Sequence, residues 1–276
     1  MSPNHRVREV LSLFREGQIS LDDAVDDICG LRIEAVAALA NLDTGREARC
    51  GVPEVVLAEG KSPSQVGEIA RNVTTAAGRI IFSRLSPDHV EAIIDVCQDC
   101  GFSLTLHEQA AMAVVSTGPP TEPGKGVVAV ITAGTSDIRV AEEARVIASE
   151  MGCRVKTAYD VGAAGIHRLF PALRECVGAH VYVVAAGREG TLPAVVAGLV
   201  DRPVIGVPVG TGYGYMGRGR AALASMLQSC SVIAVVNIDA GFVAGAFAAQ
   251  IANMVGERCS AGFTLGDSSR ITTVTS

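Results

Sequence analysis

Three side chains in this sequence have the chemistry to make or break bonds. Cys230 ends the stretch "MLQSC" just ahead of the apolar run "SVIAVVNID". Glu189 stands among glycines in "AAGREGTLP", and His167 precedes Arg168 in "DVGAAGIHRLF". A thiolate is both a nucleophile and a leaving group. A carboxylate in a partly buried loop accepts a proton near operating pH, and an imidazole exchanges one near neutrality. Each has a plainer use as well: Cys230 as a small apolar filler at the base of a sheet, Glu189 as the partner of a cation, His167 as a structural ring.

Binding groups accompany them. Gly134, Thr135, Ser136 and Asp137 open a helix, where free backbone N–H groups and the helix dipole favour an anion such as phosphate. Simple N-capping by Ser136 or Asp137 is the alternative. Arg168 offers a guanidinium fork for phosphate, with Asp160 a few residues earlier. Gly187 and Gly190 flank Glu189. Gly212, Tyr213 and Gly214 begin "GTGYGYMGRG", which lets a ligand approach the backbone closely. That segment is not a P-loop, because no Gly-Lys-Ser/Thr follows. Asp137, Asp160 and His167 are all candidates to activate a water. The one CxxC, Cys97 to Cys100, falls inside a helical pattern with no second ligand pair, and reads as helical thiols and not a metal site.

Positioning these groups requires an ordered frame. From residue 127 onward, five apolar runs alternate with five amphipathic stretches, the pattern of a parallel sheet covered on both faces. The expected fold is therefore α/β: a doubly wound, flavodoxin- or Rossmann-like sheet, with ligands at the carboxyl ends of its strands. Residues 133–137, 160–168, 185–193, 207–219 and 237–242 all follow strands and converge on that edge, and Cys230 is assigned to the same edge. The "GFVAGAF" start of the last helix is smooth enough for packing between subunits. A small α/β unit comes first. Residues from Pro3 to about Leu42 read as short helices, with Ser20 as an N-cap. Strands at "EVVLAEG" and "RIIFSRL" then alternate with helices opened by Ser62-Pro63 and Ser86-Pro87, and "SLTLHEQAAMAVV" adds one or two strands. The expected divisions are 1–116, a Pro/Gly linker 117–126, a carboxyl-terminal domain 127–258 and a tail 259–276.

Bulk properties narrow the classes. At 276 residues, 49% apolar and only 4% aromatic, the chain suits tightly packed α/β layers. A net charge of −6 without a basic run argues against nucleic-acid binding. The polar start lacks a signal core, and Asn237, Asp239, Gln250 and Asn253 interrupt the apolar stretch 232–255, so no membrane span is expected. Eight cysteines without an export signal imply reduced thiols in the cytoplasm.

Taken together, "GREARCGVPEVVLAEGKSPSQV", "VAVITAGTSDIRVAEEA", "YDVGAAGIHRL", "AAGREGTLPAVVAGLVDRPVIGVP" and "LQSC…AVVNIDAGF" resemble the LarB family over about residues 40–256. The carboxyl-terminal part is similar to the PurE fold of aminoimidazole ribonucleotide carboxylases and mutases. The resemblance implies a carboxylase/hydrolase that takes nicotinic acid adenine dinucleotide and CO2 to pyridinium-3,5-biscarboxylic acid mononucleotide and AMP, the first step towards a nickel-pincer nucleotide cofactor. It implies Cys230 as the nucleophile at C4 of the ring and Glu189 as the base at C5. It also carries Lys61, with Glu59, Arg46 and Arg49, to the dinucleotide. No tightly bound cofactor is implied, a divalent cation could assist the hydrolysis, and the assembly is a homo-octamer with sites between subunits. PurE-type enzymes carry Ala-Ala-His-Leu-Pro-Gly where this chain has Glu189-Gly190-Thr191-Leu192-Pro193, which disfavours the purine reaction. That reaction and a non-catalytic nucleotide-binding regulator are the alternatives.

Overall fold

A computed structural model describes residues 3–31, 33–36 and 40–260. The amino-terminal half runs α1 (Pro3–Arg15), α2 (Leu21–Cys29), β1 (Glu34–Val36), β2 (Ala40–Leu42), α3 (Arg46–Cys50), β3 (Val55–Leu57), α4 (Pro63–Ala77), β4 (Arg79–Ser83), α5 (Pro87–Cys100), β5 (Ser103–His107) and β6 (Met112–Ser116). Serines 20, 62 and 86 open α2, α4 and α5 by one device. Each hydroxyl accepts the N–H three residues on, and that residue's side chain returns to the serine N–H. Pro63 and Pro87 occupy the first helical position, where a missing N–H costs nothing.

Strands β3, β4, β6 and β5 form one sheet in that order, parallel between β3 and β4 and antiparallel elsewhere. On one face Ile80, Phe82 and Val115 pack against Ile69 and Val73 of α4 and Ile93 of α5. On the other, Ile81, Met112 and Val114 are buried against residues of the carboxyl-terminal half. The two halves therefore share a core. Each such aliphatic side chain contributes about 1.5–3 kcal/mol when fully buried. The expectation of helices up to Leu42 needs correction, because Glu34–Val36 pairs antiparallel with Ala40–Leu42. A helix this short is marginal in water, and strand pairing satisfies the same backbone groups.

Residues 117–126 hold no regular element. Then follow β7 (Val127–Thr132), α6 (Ile138–Glu150), β8 (Arg154–Ala158), α7 (Leu169–Glu175), β9 (Val181–Ala186), α8 (Leu192–Ala197), β10 (Val204–Pro208), α9 (Arg220–Leu227), β11 (Ala234–Val235) and α10 (Gly241–Ser260). The five strands are all parallel, in the order β11-β10-β9-β7-β8. Strands β7, β9 and β10 are buried along their whole length, which is why they read as unbroken apolar runs. Helices α7, α8 and α9 cover one face; α6 and α10 cover the other.

Two further expectations change. The run "SVIAVVNID" gives only a two-residue edge strand, paired on one side, and Val232 is almost fully exposed. Small residues of α10 also pack within the chain. A Cβ at Gly245 would lie 2.5 Å from the Ala144 carbonyl oxygen, and one at Gly241 would lie 2.2 Å from that of Val140, so these glycines let α10 close on α6. Helix α10 extends to Ser260, past the expected start of the tail; residues 261–276 lie outside the described residues. No helix among the described residues is long and apolar enough to cross a membrane.

Candidate active site

The strand order reverses between β7 and β9, and the helices that follow them leave to opposite faces of the sheet. That geometry opens a crevice at the carboxyl edge. The crevice is a cleft of about 390 Å³, and the loops after β7, β8, β9 and β10 all reach it. Of the residues singled out in the sequence, Gly134, Ser136, Asp137, Arg168, Gly187, Glu189, Gly190, Gly212 and Tyr213 line it. Gly162 and Thr211, not singled out, line it too.

Glu189 owes its place to a sharp turn. Arg188 (φ 46°) and Gly190 (φ 65°) both adopt left-handed backbone, and the Gly190 N–H donates to the Gly187 carbonyl at 2.8 Å. A side chain at Gly190 would strike the backbone of Ala222 in α9, so the loop is seated directly on that helix. Arg188 does not pair with Glu189. Its guanidinium stacks 4.6 Å from the Tyr213 ring centroid, an attraction of about 0.5–1 kcal/mol at an exposed site. Glu189 itself is exposed at the rim and makes no side-chain hydrogen bond or ion pair among the described residues.

Arg168 is held by Asp160. Its Nη1 donates to the Asp160 carbonyl at 3.1 Å and stands 3.6 Å from the Asp160 carboxylate. Asp160 has left-handed backbone (φ 55°), and its N–H donates to the Thr132 hydroxyl at 2.9 Å. The guanidinium lies over Gly162, where a Cβ would sit 2.2 Å from Nη2. Asp160 therefore lies behind the cleft and positions Arg168.

Asp137 forms the floor and is only 3% exposed. Its Oδ2 accepts the Gly134 N–H at 2.9 Å. Its Oδ1 faces the Gly187 N–H and the Thr211 hydroxyl without closing a well-formed hydrogen bond to either. Burial pushes this carboxyl above its ordinary pKa, opposed by the Gly134 N–H. A buried acceptor left without a well-formed partner takes up a proton more readily than a solvated one.

The remaining candidates lie elsewhere. Thr135 and His167 are exposed beside lining residues but do not line the cleft, and Gly214 lines a separate surface depression with Tyr215 and Arg218. Lys61 donates to the Leu57 carbonyl at 2.8 Å and reaches no cavity of the site. Cys230 calls for a correction. Helix α9 carries the chain back from the carboxyl edge, and β11 runs parallel to β10, so the loop between them lies towards the amino edge. Cys230 is exposed there and lines no part of its own chain's cleft.

Beyond Ser136 and Thr211, which line both, a second cavity of about 360 Å³ opens between the two halves of the chain. Its walls include Glu59 and Arg84 from the amino-terminal half, Arg139 and Glu143 from α6, and Asp239. Arg84 donates to Glu59 at 3.0 Å. Glu143 is 5% exposed, and burial raises it to about 7 despite the nearby Arg84 and Arg139. Further along α6, two arginines link the halves of the chain. Arg145 holds Glu142 through Nε at 2.8 Å and reaches the His107 ring at 3.3 Å, and Arg79 pairs with Glu150. Burial, then the Arg145 charge, depresses the His107 pKa, so this contact is made by a neutral ring. The paired glutamates of "VAEEA" gave no warning, because they read as a solvated helix face. Among the described residues, no cluster of His, Cys, Asp and Glu forms a metal-binding group.

Comparison with known proteins adds the following. Residues 33–117 match the family described as the LarB/PurE-like N-terminal domain, and residues 127–263 match AIR carboxylase. An uncharacterized protein of Methanocaldococcus jannaschii is 39% identical over 255 residues, covering 90% of this chain and 98% of that one. The N5-carboxyaminoimidazole ribonucleotide mutase of the same organism is 35% identical over 130 residues, 45% of this chain and 78% of that one. A probable N5-carboxyaminoimidazole ribonucleotide mutase of Methanothermobacter thermautotrophicus is 32% identical over 130 residues, 45% of this chain and 37% of that one.

Proposed function

Because the chain belongs to the LarB family, with a PurE-like carboxyl-terminal domain, we propose that it carboxylates and hydrolyses nicotinic acid adenine dinucleotide. The products are pyridinium-3,5-biscarboxylic acid mononucleotide and AMP, and the setting is a cytoplasm that keeps its thiols reduced. The observation that carries this reading is Glu189, held at the rim of a nucleotide-sized cleft with its carboxylate uncommitted.

The chemistry follows from the pyridinium ring. Its carbons are electron-poor and do not attack CO2. Thiolate addition at C4 makes C5 the nucleophilic end of an enamine, and C5 then bonds to CO2. Glu189 takes the C5 proton, the electron pair restores the ring, and the thiolate leaves from C4. Arg168, oriented by Asp160, binds a phosphate of the substrate, and Ser136 with the opening of α6 binds the next. Asp137 is the first candidate to take a proton from the water that cleaves the phosphoanhydride, since it alone of the three candidates lines the cleft and burial raises its pKa. A divalent cation on the phosphates would assist the same step.

Cys230 lies away from its own cleft, so in this reading it acts in a neighbour's, within a homo-octamer. The exposure of Leu227, Cys230 and Val232 supports that arrangement, since an apolar loop end of this kind is the material of a subunit contact. Incubation with nicotinic acid adenine dinucleotide and labelled CO2 tests the proposal. Label in a dicarboxylated pyridine nucleotide, with one AMP released per product, is the expected result. No labelled pyridine and no AMP would reject it. Label in an imidazole nucleotide would favour the purine reaction, which the mutase relatives support and the absence of a histidine in the Glu189 loop opposes.

A further inference from the structure

In that reading the carbon–carbon bond forms in the cleft, and the cavity between the two halves adjoins the cleft, sharing Ser136 and Thr211 with it. Its volume is that of a small-molecule site. Apart from Val140, its walls are polar or glycine. Arg139 makes no side-chain hydrogen bond or ion pair among the described residues, and Arg84 is turned in on left-handed backbone (φ 55°). Glu143 is buried facing the Phe242 N–H and makes no ion pair among the described residues. Asp239, also left-handed (φ 55°), uses Oδ1 to accept the Gly210 N–H at 2.8 Å.

We propose that this cavity is a second nucleotide subsite, holding the nucleoside monophosphate half of a dinucleotide whose other half occupies the cleft. Arg139 and Arg84 bind its phosphate, and Glu143 and Asp239 accept from its ribose hydroxyls. This rests on the dinucleotide reading above. Guanidinium groups match phosphate oxygens in pairs, while vicinal hydroxyls donate to carboxylates. The phosphates that join the two halves pass over Ser136, in the turn that opens α6 and lines both cavities. Neither cavity alone is shaped for both halves of such a ligand, and the second exists only because the amino-terminal half supplies Arg84 and Glu59. The contacts from Arg145 to His107 and from Arg79 to Glu150 then serve to keep that wall in place.

Calorimetric titration of the full chain with AMP and with nicotinic acid mononucleotide, singly and together, tests this. The two ligands are expected to bind at once. Arg139→Gln and Arg84→Gln each weaken AMP by about tenfold or more, the loss of a charged hydrogen bond, and leave the mononucleotide within about twofold. Arg168→Gln gives the reverse pattern. Should Arg84→Gln fail to fold, Arg139→Gln, at an exposed position, decides. Mutual exclusion of the two ligands, or an AMP affinity indifferent to Arg139, overturns the subsite. AMP binding that needs Arg139, without labelled CO2 entering a pyridine, rejects the carboxylase reading and keeps the subsite. Carboxylation with AMP indifferent to Arg139 does the opposite.

Discussion

The cleft at the sheet edge and the cavity between the domains meet at Ser136 and Thr211, yet they are built from different materials. The cleft is a product of one sheet: four loops, rich in glycine, converge where the strand order reverses. Its glycines let backbone segments close on one another, and Glu189 has no side-chain partner among the described residues. The cavity is a product of two domains. Its walls include side chains on a long helix and on two left-handed residues, Arg84, paired with Glu59, and Asp239, which accepts the Gly210 N–H. The difference separates two tasks. Bond-making needs uncommitted groups beside an approachable backbone, whereas holding a leaving half needs fixed charges.

The largest effect expected from this division falls on neither cavity directly. Cys230→Ser should lower carboxylation by at least about 10³-fold, as loss of a covalent nucleophile does elsewhere, with mononucleotide binding unchanged by calorimetry. Since Cys230 lies outside its own chain's cleft, mixing subunits sharpens the point. Co-assembled Cys230→Ser and Glu189→Gln subunits should recover about a quarter of wild-type activity, because a quarter of sites between two chains receive both intact residues. If mixtures stay inactive while native gels show co-assembly, the site is confined to one chain.

Next in size is Glu189→Gln. It should cost about 10²–10⁴-fold in kcat, the usual worth of a general base, with KM for the dinucleotide changed little. A rise in KM with kcat intact would make Glu189 a binding group and erase the contrast between the two cavities.

What the sequence revealed follows the same division. The cleft was legible because each of its loops follows an apolar strand and announces itself with glycine beside polar or charged residues; "AGTSD", "GREGTLP" and "GTGYGY" needed no knowledge of strand order. Cys230 was misplaced because its edge depends on counting reversals. Helix α9 is only eight residues long, but it still carries the chain away from the ligand edge. The second cavity was illegible. Residues 59, 84, 139, 143 and 239 come from four separate segments, and each looks ordinary alone. Glu142 and Glu143 occupy a helix that reads as amphipathic, with charges outward. Tertiary packing buries them to 6% and 5% exposure: the start of α10 crosses beside Glu143, Tyr159 bonds Glu142, and Arg84 of the amino-terminal domain shares the cavity with Glu143.

That burial gives the smallest of the expected effects and the one most specific to the second cavity. Glu143 has an ordinary pKa of 4.5 and a folded value of about 7. Well below 4.5 the group is protonated whether folded or unfolded, and it costs no stability. Between these values the unfolded chain gives up its proton while the folded chain keeps it, so stability falls as pH rises. Above 7 the full penalty is reached, about 3 kcal/mol from the displacement of the pKa. Glu143→Gln keeps an acceptor for the Phe242 N–H but never ionises. Denaturant melts should therefore find it more stable than wild type by about 3 kcal/mol at pH 8.5 and by less than about 1 kcal/mol at pH 5. An equal difference at both values would mean that Glu143 is not held protonated in the fold. Gain of stability together with weaker AMP binding would instead show a carboxylate kept at a cost because a ligand needs it, which is the distinction drawn here between a cavity that binds and a core that merely packs.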